Sequence, residues 1–403
     1  MRAAGPGAAT TKKTCVPVHI EFCNPRGKPV LSLERIRHSF PYLAQCTYLN
    51  TASVGLSWAG EGAAAAEFYE AKAQGAGAMG TWWQKADATR GELAALLKVA
   101  PASIEFVGST TEALNLIALS LPLSEGQQVV VAQDEFPSVV LPWTSLERRG
   151  VELKRVLVAR EAQRTQLLCE AVSQRTRVLA VSHVHWRTGT RVDLEELARV
   201  CRTHDCRLIV DGVQAVGALP VEAGVADAYC ASVFKWLLSG FGLGFVALSE
   251  RLAAELTPAM RGYSNEPPSR SLRYGHLNYP GIFALRATLG YLNSVGWPRI
   301  HQRVAVLAQR AIAALRSEGF EVLTPDTAHG GIVSFRHPRA SALVRSLADR
   351  AILVEDAAPI VRASAHFYNT EEDVDRFITA LVASLRRGTR TTDTADRRDP
   401  AAS

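Results

Sequence analysis

Residues 207–236 read RLIVDGVQAVGALPVEAGVADAYCASVFKW. Two runs within them, RLIVDG (207–212) and DAYCASV (227–233), have the length and β-branched, apolar character of buried strands. Asp211 falls at the end of the first, and Lys235 follows the second. Lys235 is flanked by Phe234 and Trp236 and precedes Gly240, Gly242 and Gly244. An ammonium in such company loses hydration unless it is paired or neutralised. Lys235 therefore either snorkels to solvent or takes part in chemistry.

The pattern repeats outward from this stretch. IEFV (104–107), QVVVAQ (128–133), RVLAVSHV (177–184) and LGFVALS (243–249) read as further strands. TEALNLIALSL (111–121), PSVVLPWTSLERRG (137–150) and VDLEELARVCRTHD (192–205) read as helices between them. Such alternation predicts an α/β fold, a mostly parallel sheet of the seven-stranded type sandwiched by helices. Ligands in such sheets bind beyond the carboxyl ends of the strands. After residue 295 the pattern changes. A long helix (299–319) is followed by FEVLT (320–324), GGIVSFR (330–336), ASALVRSLADR (340–350), IVRASAHFY (360–368) and EEDVDRFITALVASLRR (371–387), a smaller α+β unit. The expected organisation is a partly disordered extension over 1–40, a large ligand-binding domain over 41–295, a small domain over 296–387 and a disordered tail over 388–403. The segment from Tyr42 to Ser57 is expected beside the small domain.

Composition narrows the function. Apolar residues make up 47% and charged residues 21% of the 403, as in an ordinary globular protein. The net charge of +6 sits at the ends: residues 1–40 hold seven Lys/Arg against Glu21 and Glu34, and the tail from Arg386 holds five Arg against three Asp. The remainder is close to neutral, which argues against a nucleic-acid partner. The first fifteen residues lack the apolar core of a signal peptide, and no apolar run is long enough to span a bilayer. The seven cysteines are odd in number and scattered. Reduced thiols in a cytoplasmic protein, with no membrane partner, are the expectation. CRTHDC (201–206) lacks a second ligand pair, so no metal is expected.

Polar residues fall where the sheet places a ligand. Singly, a strand-end aspartate caps a turn and a serine beside a glycine-rich loop bonds backbone. Together, Asp211, Gln214, Ser232 and Lys235 make a chemical proposition. A lysine amine attacks carbonyls once desolvation or a nearby cation lowers its pKa. A carboxylate on a neighbouring strand end is what a protonated pyridine nitrogen needs, and the two together suit pyridoxal 5'-phosphate. VGSTTEALN (107–115) offers a phosphate site, where a strand passes through Ser109, Thr110 and Thr111 into a helix N-terminus. SGFGLGF (239–245) lacks the strand-first context of a dinucleotide fingerprint and fits close backbone approach behind the lysine.

From Tyr48 to Arg386 these residues resemble the class V aminotransferases of the fold-type-I pyridoxal phosphate enzymes, in the isopenicillin N epimerase-like and cysteine desulfurase-like branch. The resemblance is carried, in order, by YLNTASVG (48–55), GSTTEALNL (108–116), SHVHWRTG (182–189), DGVQAVGALPVE (211–222), SVFKW (232–236), YGHLNYPG (274–281) and VRASAHFYNTEEDVDRF (361–377). It implies that Lys235 holds the cofactor as a Schiff base, Asp211 pairs the ring nitrogen and Gln214 touches the ring hydroxyl. Ser109, Thr110, Thr111 and Ser232 would serve the phosphate, and Arg362 would clamp the substrate carboxylate, with Asn50 and Ala52 near it. A homodimer with sites at its interface is implied as well.

Several positions depart from that pattern. Phe234 replaces the usual histidine before the lysine, and Gly275-His276 replaces Gly-Thr in the dimer-crossing loop. His276 either restores the missing phosphate contact across the dimer or is a surface histidine. Phe136 takes the stacking position of a proton-carrying histidine. His185 stands where asparagine flanks the ring hydroxyl and is a candidate donor, whereas His183 reads as core. ILVEDAAPIVR (352–362) carries no persulfide cysteine. The expected function is therefore a pyridoxal phosphate-dependent lyase, performing β-elimination on a small cysteine-derived substrate. The alternatives are an epimerase of the isopenicillin N type, an aminotransferase or decarboxylating deaminase, and an inactive sensor that kept the fold.

Overall fold

The computed structural model describes residues 31–267 and 271–393. The expectations for residues 1–30 and 394–403, with Cys15 and Cys23, lie outside the described residues. Seven strands make the large sheet: β1 (Ile104–Val107), β2 (Gln128–Ala132), β3 (Glu152–Val156), β4 (Thr176–Ser182), β5 (Arg207–Asp211), β6 (Ala228–Ser232) and β7 (Gly244–Leu248). Their spatial order is β1-β7-β6-β5-β4-β2-β3. β7 runs antiparallel to both neighbours, and every other pair is parallel.

The apolar runs are continuous because both faces are covered. Val129 and Val131 of β2 join Val178 and Ala180 of β4 against helix α1 (Thr110–Ser120) and helix α2 (Pro137–Thr144). The intervening Val130, Leu179 and Val181 pack on the opposite face with Leu93, Leu197 and Leu289. Each such Val or Leu side chain taken from water contributes about 1.5–3 kcal/mol. The edge strand β3, ELKRV, buries just one side chain fully and is not among the runs read as strands. The expected helix over 137–150 is shorter: α2 ends at Thr144, and a single 3-10 turn covers Glu147–Arg149.

The smaller C-terminal α+β domain has an antiparallel sheet of β8 (Glu321–Val322), β9 (Ile332–Arg336), β10 (Glu355–Ala357) and β11 (Ile360–Ser364), in the order β10-β11-β9-β8. Its core joins Phe335 and Val361 to Leu307, Ile312, Phe377 and Leu381 of two long helices. The N-terminal segment is stitched onto this domain: Thr47–Tyr48 pairs in parallel with Ile352–Leu353, and Asn50 bridges Ser364. The segment then turns to the large sheet, where the Gly55 N–H donates to the Phe234 carbonyl at 2.9 Å. A Cβ at Gly55 would lie 2.0 Å from the Lys235 carbonyl oxygen, so glycine alone permits this approach. No described helix is long and apolar enough to cross a membrane.

Candidate active site

Lys235 sits in the loop between β6 and β7, and the neighbouring backbone is fixed from several sides. Trp236 Nε1 donates to Gln214 Oε1 at 2.8 Å, and Gln214 Nε2 donates to the Ala52 carbonyl at 3.0 Å. His366 Nε2 is 3.0 Å from the Trp236 carbonyl. Leu238, three residues beyond the lysine, adopts the left-handed conformation at φ 54°. Lys235 Nζ lies 5.6 Å from the Phe234 ring centroid and 5.8 Å from that of Phe136. The amine donates no hydrogen bond to a described residue. Burial pushes its pKa down to about 8, against the opposing pull of Asp211 and with help from the Arg362 charge.

Asp211 ends β5 and accepts the Val213 N–H at 2.9 Å. Burial raises its carboxyl to about 6, with the Val213 N–H and Lys235 pulling the other way. Both residues line one cavity of about 140 Å³, open to solvent, at the carboxyl ends of the parallel strands. Ser109, Thr110, Thr111 and Ser232 line it too, with Gln214, Phe136 and Phe234. Ser109 Oγ caps α1 by accepting the Glu112 N–H at 3.1 Å. Thr110 and Ser232 bond each other, and Thr111 Oγ1 lies 2.7 Å from Ser138 Oγ.

Other predicted site residues stand apart from this lining. His185 is buried with Nδ1 2.9 Å from Thr188 Oγ1 and Nε2 3.0 Å from the Asp134 carbonyl, so both ring nitrogens are engaged elsewhere. Its neighbour Trp186 reaches the cavity instead. His276 lies against Tyr263, with ring centroids 5.1 Å apart, in a second cavity that includes Gly108 and Glu112. The Ala52 N–H donates to Ser364 Oγ at 2.9 Å, and Asn50 Nδ2 to Glu355 Oε2 at 2.9 Å. Arg362, 4% exposed on β11, donates through Nη1 to the Trp186 carbonyl at 2.8 Å and through Nη2 to Ser53 Oγ at 2.6 Å. Its buried Nε has no partner among the described residues. His183 is core, 2.9 Å from Tyr229 OH, and burial pushes its pKa down to about 4.

Sequence reasoning missed Ser138, Ser182, Trp186 and Glu355. Ser182 lines the cavity and donates to the buried Glu135 Oε2 at 2.5 Å. One described cluster, Asp134, Glu161 and His185, gathers three metal-ligating groups. The buried Arg164 guanidinium already holds it, with Nη2 at 2.6 Å from Asp134 and 3.0 Å from Glu161. Cys201 and Cys206 are free, and His204 Nδ1 faces the Val200 carbonyl at 3.1 Å.

Residues 63–377 match the sequence family described as aminotransferase class-V. The chain belongs to the class-V aminotransferase family. It is 31% identical over 340 residues to isopenicillin N epimerase of Streptomyces clavuligerus, covering 75% of this chain and 84% of that one. It is 29% identical over 326 residues to a probable cysteine desulfurase of Methanothermobacter thermautotrophicus, covering 72% and 81%. The fold is that of a cysteine desulfurase from Thermococcus onnurineus NA1, with a TM-score of 0.80, 24% identity and coverage of 88% and 98%. As a member of that family, the chain is accordingly a pyridoxal phosphate-dependent enzyme acting on a small molecule. Its residues fit the cofactor: a buried lysine whose pKa burial lowers, a strand-end carboxylate facing the same cavity, and hydroxyls at the N-terminus of α1.

Proposed function

We propose that this member of the class-V aminotransferase family catalyses β-elimination from a cysteine-derived amino acid, breaking the Cα–H and Cβ–S bonds to release a thiol and an enamine that water converts to pyruvate and ammonia. The carrying observation is the ionisable content of the cavity. Lys235 and Asp211 are the two ionisable residues in its described lining; the rest is hydroxyl, amide and apolar. The bound cofactor supplies an electron sink for the charge that develops at Cα. Lys235 would hold the cofactor covalently and then, as the free amine, take the Cα proton. Asp211 would keep a proton on the ring nitrogen, and Gln214 would lie at the ring hydroxyl. Thr110, Thr111, Ser109 and Ser232 would receive the phosphate at the N-terminus of α1. Arg362 would bind the substrate α-carboxylate, and its unpartnered Nε supports that role.

β-Elimination needs a single base, whereas inversion at Cα commonly needs a second proton carrier on the opposite face. Phe136 and Trp186 line that cavity without offering one, and the His185 ring is engaged by Thr188 and Asp134. The proposal includes a homodimer in which His276 serves the partner's phosphate site. Its place outside its own chain's lysine cavity, and the 64% exposure of neighbouring Tyr263, support this. A cytoplasmic setting is supported by the five described cysteines being free. The test is to incubate the holo-protein with S-alkylcysteines and measure products. Thiol, pyruvate and ammonium in equal amounts are expected; inverted amino acid recovered without loss would overturn the assignment.

A further inference from the structure

Glu355 stands directly opposite Arg362 in the β10–β11 register. Its Oε2 accepts from Asn50 Nδ2 at 2.9 Å and from Ser53 Oγ at 2.6 Å, and lies 3.9 Å from Arg362 Nη2. Ser53 Oγ accepts from Arg362, and its one proton has two acceptors within reach, Glu355 Oε2 at 2.6 Å and Asn50 Oδ1 at 2.8 Å. The guanidinium thus meets this carboxylate both through space and through the hydroxyl. Glu355 Oε1 receives no hydrogen bond from a described residue, and the side chain is 35% exposed. Burial alone would raise its pKa, but Ser53, Asn50 and the Arg362 charge outweigh that and hold the carboxyl below its usual range. Glu355 is also among the charges that act on the Lys235 amine.

An α-carboxylate docked on Arg362 would place two anions around one buried guanidinium, whose single charge balances only one of them. A substrate that brings its own cation restores neutrality, and one that brings another anion worsens the imbalance. We propose that Glu355 is a specificity-determining residue: among amino acids whose α-carboxylate binds Arg362, it selects those with an ammonium on the side chain and turns away those with a second carboxylate. This rests on the reading of Arg362 given above. A merely structural Glu355 would tie the Asn50–Ser53 segment to β10 and leave affinity indifferent to side-chain charge.

The experiment uses the holo-protein and three probes: S-(2-aminoethyl)cysteine, its neutral isostere S-propylcysteine, and S-carboxymethylcysteine. Binding is read as half-saturation of the change in cofactor absorption, and turnover as pyruvate. The aminoethyl probe is expected to half-saturate at about fivefold lower concentration than the propyl one, with the carboxymethyl probe weakest. Glu355→Gln should bring all three within about twofold of each other, while Glu355→Asp, which keeps the charge, should preserve the order. Equal affinities in the parent protein, or an order that survives Glu355→Gln, would overturn the proposal. Loss of the order in both variants would make Glu355 a structural tie and overturn it too. Absorption changes with the predicted order but without pyruvate would support charge selection while removing the β-elimination reading. No change with any probe would remove both.

Discussion

Thr110 and Ser232, 122 positions apart, exchange hydrogen bonds in both directions: the Thr110 N–H donates to Ser232 Oγ at 2.8 Å, and the Ser232 N–H donates to Thr110 Oγ1 at 2.8 Å. The clasp locks the N-terminus of α1 to the end of β6. Lys235 follows Ser232 by three residues, so the clasp ties the helix end to the lysine loop.

Ser232→Ala removes the acceptor and strands the buried Thr110 N–H, at a cost of about 1–3 kcal/mol. The variant is expected to melt at lower temperature and to bind pyridoxal phosphate about tenfold more weakly, measured by absorption titration of cofactor-free protein. Parent-like values for both would show that the clasp does not organise the site.

The parts of this site carried by strand ends were legible because β5 and β6 are apolar runs buried on both faces, whose ends mark the ligand edge of the sheet. β3 was not, because three of the five residues of ELKRV are charged and only Leu153 is buried, so its strand character comes largely from parallel pairing with β2. Glu355 was invisible for a different reason. Its partner Asn50 is 305 positions away, and they meet only because Thr47–Tyr48 adds to the small domain. His185 shows the limit of reading direction from alternation. Past the end of β4 the chain turns, Trp186 Nε1 and His185 Nε2 both take the Asp134 carbonyl, and the tryptophan lines the cavity.

Lys235 should make the cofactor-free protein sensitive to pH. Its folded pKa is lowered from 10.5 to about 8, so below pH 8 the folded state carries a poorly hydrated ammonium and is destabilised. Between pH 8 and 10.5 the unfolded chain binds more protons than the folded one, so stability from this group rises with pH. Lys235→Met is therefore expected to melt above the parent at pH 7, by at most about 3 kcal/mol, with the gap closing toward pH 10.5. Covalent capture of added pyridoxal phosphate by the parent should accelerate with a midpoint near pH 8, and borohydride should fix the label on the Lys235 peptide. A midpoint near the ordinary lysine value would remove the desolvated amine from the mechanism.

Arg362→Lys tests the carboxylate site. A lysine cannot offer paired N–H groups while also reaching the Trp186 carbonyl and Ser53 Oγ. KM for an amino-acid substrate is expected to rise about tenfold or more, with kcat falling less. Equal loss of kcat and kcat/KM would mean that Arg362 acts in the transition state instead of in binding.

Phe136 supplies the most direct test of reaction class. Its ring is 38% exposed at the cavity, meets Trp186 edge-on with centroids 5.5 Å apart, and stands 5.8 Å from Lys235 Nζ. An aromatic face stacks but cannot return a proton, which leaves Lys235 to protonate Cα from its own side. In deuterated water, unconsumed substrate should therefore regain its Cα hydrogen as deuterium with configuration retained. Phe136→His places a titratable nitrogen at this position and should release the constraint, with inverted, deuterated substrate forming at least about tenfold faster than in the parent and pyruvate forming more slowly. Chiral chromatography with mass detection reads both quantities. Rapid inversion already present in the parent would mean that a second proton carrier serves the site and that Phe136 does not decide the outcome.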